Sequence, residues 1–558
     1  MEGTMTVATG PATGIFETAV AEWPERPCID FLGAKWTYRE IGDLIDRAAA
    51  GFRRLGVEKG TRVGLCLPNT PYYVICWFAV LKAGGIVVNF NPLYVERELK
   101  HQIDDSGTSI MVTLDLEVMY PKVASLLGSS KLETIVVCPM AGILPSVKRL
   151  LFTLFKGKDR AKIPADGRHV TFGELTSRRE PVPPVKVDPE NDIAVLQYTG
   201  GTTGVPKGAM LTHANITANA EQIVQWVPSH FLGEQPKMLG VLPLFHVFAM
   251  TVVQNFGLRL GAELILLPRF ELEQVMAVIA EKKPSVFPGV PTIYTAINSA
   301  AEKGGHDLSS IRVCISGGAP LPVEVRARFE KLTGCKLVEG YGLTEASPVV
   351  TCNPVEGVVK PGSIGLALPE TTLSIRTPVT CEAELPVGEK GEVCVKGPQV
   401  MRGYWKRPGE TAEQFHAGWL RTGDIGYRDE DGYVFLVDRI KDIIICGGYN
   451  VYPRAIEEAL NHHPAVEEVT VIGVPDKYRG QAPKAFVKLR DGTAATPQDL
   501  MAFLGDWLSK IELPREIEIR AALPKTMVGK LSKKELVAEE AAAKAERDGT
   551  ASSESGTP

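Results

Sequence analysis

Between Phe31 and Leu343, short apolar runs alternate with stretches of helical periodicity. The runs are RVGLCLP (62–68), GIVVNF (85–90), IMVTL (110–114), LETIVV (132–137), DIAVLQYT (192–199), ELILL (263–267) and RVCISG (312–317). Strand, helix, strand at this spacing predicts parallel α/β layers, because crossover helices cover both faces of a parallel sheet. From about 356 to 437 the pattern changes. GSIGLAL, TTLSIRT, EVCVKG and YVFLVD are short strands divided by Gly, Pro and Asp turns, which predicts a small antiparallel sheet or barrel. After DRIKD (438–442) a compact α+β pattern begins. It holds a helix over 453–460 opened by Pro453, strands VEEVTVIGV and APKAFVKL, and a helix around 500–510.

The predicted organisation is α/β: a large N-terminal domain over 1–437 with a β-rich part at about 356–437, a hinge at 438–442, and a small mobile α+β cap over 443–540. A disordered tail is expected over 541–558, where RDGTASSESGTP has no apolar face. The length of 558 residues agrees with three or four structural units at about 150 residues each.

Composition narrows the class. Hydrophobic residues are 44% and charged residues 23%, which excludes a disordered or fibrous chain. Lys+Arg 61 against Asp+Glu 66 leaves a net charge of −5, so no nucleic-acid partner is expected. MEGTMTVATGPATG lacks a basic region followed by an apolar core, so no signal peptide is read. The uncharged stretches 63–81 and 239–258 are interrupted by Pro68, Asn69, Pro71, Pro243, His246 and Asn255, and neither reads as a transmembrane helix. The ten cysteines form no C-x-x-C pair and read as reduced structural thiols of a cytoplasmic protein.

The strongest chemical signal is YTGGTTGVPKG (198–208), directly after the apolar strand DIAVLQ. Glycines expose backbone N–H groups, threonines supply hydroxyls and Lys207 supplies a cation, which together suit phosphate oxygens. It is not a Walker A loop, because Pro206 precedes Lys207 and no Gly-Lys-Ser/Thr follows. A flexible turn is the plain alternative; the preceding strand and Lys207 favour phosphate.

YTGGTTGVPKGAMLTHAN resembles the signature of the adenylate-forming enzymes, the superfamily of acyl-CoA ligases, luciferases and peptide-synthetase adenylation domains. LPLFHVFAM (242–250), SGGAPL (316–321), EGYGLTEAS (339–347), WLRTGD (419–424), DRIKDIIICGGYNVYP (438–453) and PKTMVGK (524–530) follow in that superfamily's order, so the resemblance spans roughly 15–540. LPLFHVFAM and GGYNVYP resemble the long-chain fatty acid branch most closely. The resemblance implies that a carboxylate is joined to ATP as an acyl adenylate with release of pyrophosphate, after which coenzyme A displaces AMP.

It also assigns residues. Thr199, Gly200, Gly201, Thr202, Thr203, Gly204 and Lys207 would hold the β- and γ-phosphates. Glu345 would bind Mg²⁺, a hard cation suited to oxygen ligands, and Thr344 would meet the α-phosphate. Gly317, Gly318 and Ala319 would form a backbone platform for adenine, with Tyr341 between Gly340 and Gly342 offering a stacking face. Asp424 would accept the ribose hydroxyls and Arg439 would donate to ribose or phosphate. His246 would lie near the acyl carboxylate, without a partner acid that would make it a general base. Lys530 is the implied catalytic cation, Lys441 the hinge, and Gly447, Gly448 and Tyr449 the coenzyme A loop.

One segment departs from the chain's near-neutral charge. In LPSVKRLLFTLFKGKDRAK (144–162), Val147, Leu150, Leu151, Leu154 and Phe155 share one helical face among Lys148, Arg149, Lys156, Lys158, Arg160 and Lys162. This reads equally as a helix on an anionic membrane surface, making the protein peripheral on the inner membrane, and as an ordinary helix packed on its own domain.

The reading is a fatty acyl-CoA ligase using a medium- or long-chain fatty acid, ATP and coenzyme A. Its rivals are a coumarate-type aryl-CoA ligase, an acyl-AMP ligase serving a carrier protein, and a non-catalytic fatty-acid or nucleotide-binding protein. Chain-length preference, pathway and oligomeric state, a homodimer included, stay open.

Overall fold

The computed structural model describes residues 6–199, 206–302, 304–446, 449–476, 478–526 and 529–554, with side chains to 543. The chain forms two compact units: residues up to Lys360 with 365–372 and 395–420, and residues 361–364, 373–394 and from Arg421 onward.

The first unit carries the expected parallel layers. A seven-stranded sheet runs in the order His169–Thr171, Thr134–Cys138, Ile110–Leu114, Arg62–Cys66, Ile86–Asn89, Ile193–Thr199, Lys207–Thr212. All its pairings are parallel except the last, a hairpin in which Thr199 faces Lys207. Ile110–Leu114 is buried at every position, as a strand covered on both faces must be. A second sheet orders Lys237–Gly240, Glu263–Leu266, Pro27–Phe31 and Ala34–Thr37. Val286 bridges Met238 to Val313, bringing the parallel pair Val313–Ser316 and Lys336–Gly342 alongside it. The uncharged stretch 63–81 resolves into strand Arg62–Cys66 and helix Pro71–Lys82, whose apolar residues are buried. Among the described residues no helix is long and apolar enough to cross a membrane. All ten cysteines are buried thiols, which accounts for their scattered spacing as core residues.

Strands Thr372–Arg376, Gly391–Lys396, Trp419–Arg428 and Val434–Arg439, which belong mostly to the second unit, are sheet neighbours in that order. The following α+β body packs helices Pro453–Asn461 and Pro497–Leu504 on the antiparallel pair Val466–Asp476 and Gly480–Leu489. Ile456, Leu460, Val471, Val487, Leu500 and Leu504 share its core.

Two expected elements end elsewhere. The helix expected around 500–510 spans Pro497–Leu504: Thr496 and Asp499 close a capping box at its start, and the chain turns at Gly505. Where a disordered tail was expected from 541, the helix Lys533–Glu554 continues. EEAAAKAERD is rich in strong helix formers, so propensity carries a helix that no continuous apolar stripe announces. Residues 555–558 lie outside the described set.

Candidate active site

The phosphate-loop candidates Gly200, Gly201, Thr202, Thr203 and Gly204 lie outside the described residues, but both ends of their loop are placed. Thr199 ends one strand and Lys207 begins the next, in register. Segment 402–405 lies along the second strand: Arg402 N–H donates to Met210 O, Met210 N–H to Gly403 O and Trp405 N–H to Gly208 O, at 3.0, 2.9 and 2.8 Å. This pairing carries Tyr404 beneath Lys207, whose ammonium stands 5.0 Å from the ring centroid. The Tyr404 hydroxyl donates to Glu345 Oε1 at 2.6 Å. Burial, then the Glu345 charge and this bond, hold the phenol well above its usual range, so it stays a donor at neutral pH. Lys207 and Glu345 therefore share one aromatic support.

Thr344 and Glu345 form a 3₁₀ turn after strand Lys336–Gly342. Gly342 is required there, because a Cβ would run into the Pro348 carbonyl. Ser316 and Glu339 are partners at the carboxyl ends of adjacent parallel strands. Gly317, Gly318 and Ala319 follow the first strand, and Gly340, Tyr341 and Gly342 complete the second. Ends of neighbouring parallel strands are where open α/β sheets bind nucleotides.

In the second unit, Asp424 and Arg439 are cross-strand partners with Arg439 Nε 3.3 Å from Asp424 Oδ1. Their turn is braced from below. Buried Glu392 pairs with Arg421 at 3.0 Å and accepts from Gly423 N–H at 3.2 Å, while Thr422 Oγ1 accepts from Asp424 N–H at 3.1 Å. Lys530 feels the charges of both Arg439 and Asp424. Burial, then the Arg439 guanidinium, draws its ammonium down to about 8, and Asp424 pulls the other way. Its backbone is fixed in a turn: Thr526 N–H donates to Lys530 O at 2.6 Å, and Lys530 N–H to Thr526 Oγ1 at 3.2 Å.

Residues 16–405 match the AMP-binding enzyme family and 455–530 match the AMP-binding enzyme C-terminal domain. The chain belongs to the AMP-binding enzyme family. It is 46% identical over 530 residues to a long-chain-fatty-acid–CoA ligase of Bacillus subtilis, covering 94% of each chain. It is 35% identical to a feruloyl-CoA synthase of an Amycolatopsis species, covering 92% of this chain and 96% of the other. Among solved structures, an anthranilate CoA ligase in complex with anthranoyl-AMP is similar at TM-score 0.84 and 26% identity, covering 97% of this chain and 100% of that one.

Other residues of this AMP-binding enzyme fall in distinct settings. His246 caps helix Val247–Ala249, its Nδ1 accepting from Phe248 N–H at 3.3 Å. Lys441 is exposed in the turn after Arg439, where Asp442 N–H donates to Arg439 O at 3.0 Å. Tyr449 is 66% exposed in strand Tyr449–Val451, while Gly447 and Gly448 lie outside the described residues.

Two residues escaped the sequence reading. Tyr404 sits in RGYW, which carries no phosphate-type chemistry of its own. Asp438 was read only as the start of the hinge. Its buried carboxylate accepts from Arg439 N–H at 2.8 Å and from Arg454 N–H, at the start of helix Pro453–Asn461, at 2.9 Å. Burial raises its pKa to about 6 against the pull of Lys533 and those two N–H groups. Lys533 lies 3.1 Å from Glu457 and 4.0 Å from Asp442. Although burial works against it, carboxylates including Asp438 hold this ammonium above its usual range.

Proposed function

We propose that this chain joins a medium- or long-chain fatty acid to coenzyme A through an acyl adenylate, releasing pyrophosphate and then AMP. The observation that carries the substrate class is the 46% identity, across 94% of both chains, with the long-chain-fatty-acid–CoA ligase.

In the first half-reaction a carboxylate oxygen of the acid attacks the α-phosphorus of ATP, and the bond to pyrophosphate breaks. The loop between Thr199 and Lys207 holds the outer phosphates, Thr344 meets the α-phosphate, and the strand-end residues 317–319 and 340–342 receive adenine. Asp424 accepts the ribose hydroxyls. Lys530 places its cation between acyl carboxylate and α-phosphate, where charge accumulates in the transition state. Glu345, whose Oε1 accepts from Tyr404, would hold Mg²⁺ through its carboxylate, and the ion would offset phosphate charge as pyrophosphate departs.

In the second half-reaction the coenzyme A thiol loses its proton to solvent and its sulfur attacks the acyl carbonyl carbon; the carbon–oxygen bond to AMP breaks, and AMP leaves with that electron pair. Lys530 must vacate the carbonyl's surroundings first. A swing about Lys441 exchanges it for the loop 447–453, whose glycines leave room for the pantetheine arm. The large domain, hinge and cap at 1–437, 438–442 and 443–540 are the moving parts in this reading. His246 stands near the acyl carboxylate as a positioning group.

An aryl-CoA ligase is the second reading, favoured by the feruloyl-CoA synthase relative. A panel of saturated acids of increasing length beside hydroxycinnamic acids separates the two by kcat/KM. The fatty acid reading predicts rising efficiency with chain length and little turnover of ring acids; the reverse order would install the aryl reading. ATP–pyrophosphate exchange dependent on added acid excludes a non-catalytic binding protein.

A further inference from the structure

Helix Ser146–Phe155 contains no buried residue. Val147, Leu150, Leu151, Leu154 and Phe155 are 71, 60, 48, 66 and 77% exposed. At positions i, i+3, i+4, i+7 and i+8 they form one face. A surface helix of a globular protein turns such a face to the core, so this helix is mounted the other way round. It is nonetheless fixed: Lys148 Nζ donates to Leu32 O at 2.7 Å, Arg149 donates to Leu144 O at 3.2 Å, and Phe152 is half-buried.

The surrounding charge is mostly of one sign. Lys148, Arg149, Lys156, Lys158, Arg160 and Lys162 are all exposed; Asp159, the one acid within 144–162, lies 3.3 Å from Lys156, and Arg160 pairs with Asp115 at 3.0 Å, so a cationic excess remains on the rim. A second copy of the chain would bring this cationic rim against itself. The helix is also short, about 15 Å for ten residues, far too small for the ~800 Å² per partner of a stable interface. An anionic bilayer supplies the opposite charge and a solvent for the apolar side chains.

We propose that helix Ser146–Phe155 is a membrane-contact surface for anionic phospholipid. The helix lies in the headgroup plane, its five apolar side chains enter the acyl boundary, and the lysines pair with lipid phosphates.

Co-sedimentation of the full chain with vesicles tests this, using phosphatidylcholine alone or with one-third phosphatidylglycerol. The wild type should sediment with the anionic vesicles, weakly with the neutral ones, and lose binding as salt rises. Leu150→Ser, Leu154→Ser and Phe155→Ser combined should weaken partition at least ~10-fold. Because Lys148 and Arg149 are held by carbonyls, charge is better reversed at Lys156, Lys158 and Lys162. That triple Glu variant should lose at least roughly 100-fold on anionic vesicles, about fivefold for each cation removed, before the added carboxylates repel the surface. Both variants should melt like the parent, since every altered side chain is exposed. Wild type that ignores vesicles or binds both kinds equally would overturn the proposal. So would variants that bind as the parent does, or a wild-type dimer that the serine variant dissociates in light scattering.

Discussion

At the scale of single residues, a lysine that is buried and also lies near a guanidinium titrates low, and this gives Lys530 a measurable signature. Only its protonated form can bridge two anions. With its pKa near 8, kcat/KM for adenylation should be level below that pH and fall about tenfold per unit above it. Lys530→Arg keeps the charge to far higher pH and should move this alkaline limb upward; a limb that stays in place would assign it to another group. Lys530→Ala should lower acid-dependent pyrophosphate release by about 100- to 1,000-fold, while thioester formation from supplied acyl adenylate largely survives. Equal loss of both half-reactions would remove the assigned role. Tyr404→Phe keeps the ring under Lys207 but deletes the O–H bond to Glu345. KM for Mg·ATP should rise on the order of tenfold, as expected when a hydrogen bond to a charged group is lost. An unchanged Mg²⁺ titration would show that the bond serves only packing. The motif around Lys530 is legible in sequence because its Gly-flanked run is local. Tyr404 is not, because its bond reaches across 59 residues and exists only once segment 402–405 pairs beside strand Lys207–Thr212.

At the scale of elements, the seven apolar runs located seven strands of the parallel layers within a residue or two, since a strand buried on both faces needs an unbroken run, whereas the parallel-paired strands Pro27–Phe31, His169–Thr171 and Lys237–Gly240 had no such signal. IMVTL is strand Ile110–Leu114 end to end. Boundaries set by caps or propensity were less visible, as helices Pro497–Leu504 and Lys533–Glu554 show. The proposed hinge illustrates both cases. Lys441 is exposed just beyond the Asp424–Arg439 strand pair, and DRIKD marks it in sequence. The bond that ties this segment to the next helix, Asp438 to Arg454 N–H, spans sixteen residues and needed coordinates. Proline at 441 would fix φ in the turn and restrict any swing. Lys441→Pro should leave adenylation nearly intact and cripple thioester formation, read as acyl-AMP accumulating with coenzyme A present. An unchanged second step would place the pivot elsewhere.

At the scale of the molecule, the net charge of −5 conceals opposed local fields. A phosphate-loop lysine, a turn-borne Lys530 and a cationic helix each stand where an anion is expected, and acids elsewhere balance them. The division of labour follows from the two units. Adenine and phosphate candidates belong to the first, while Asp424, Arg439, Lys530 and Lys441 belong to the second. Sequence motifs could name these groups in order, yet their grouping into two bodies comes from long-range pairing. The central claim is a two-step ligation through an adenylate. It is tested most directly by mixing the protein with Mg·ATP and a labelled long-chain acid, first without coenzyme A. The account predicts one bound acyl-AMP per chain with one pyrophosphate released, and on adding coenzyme A its conversion to acyl-CoA with release of AMP. Formation of ADP, or no acid-dependent pyrophosphate, would contradict it.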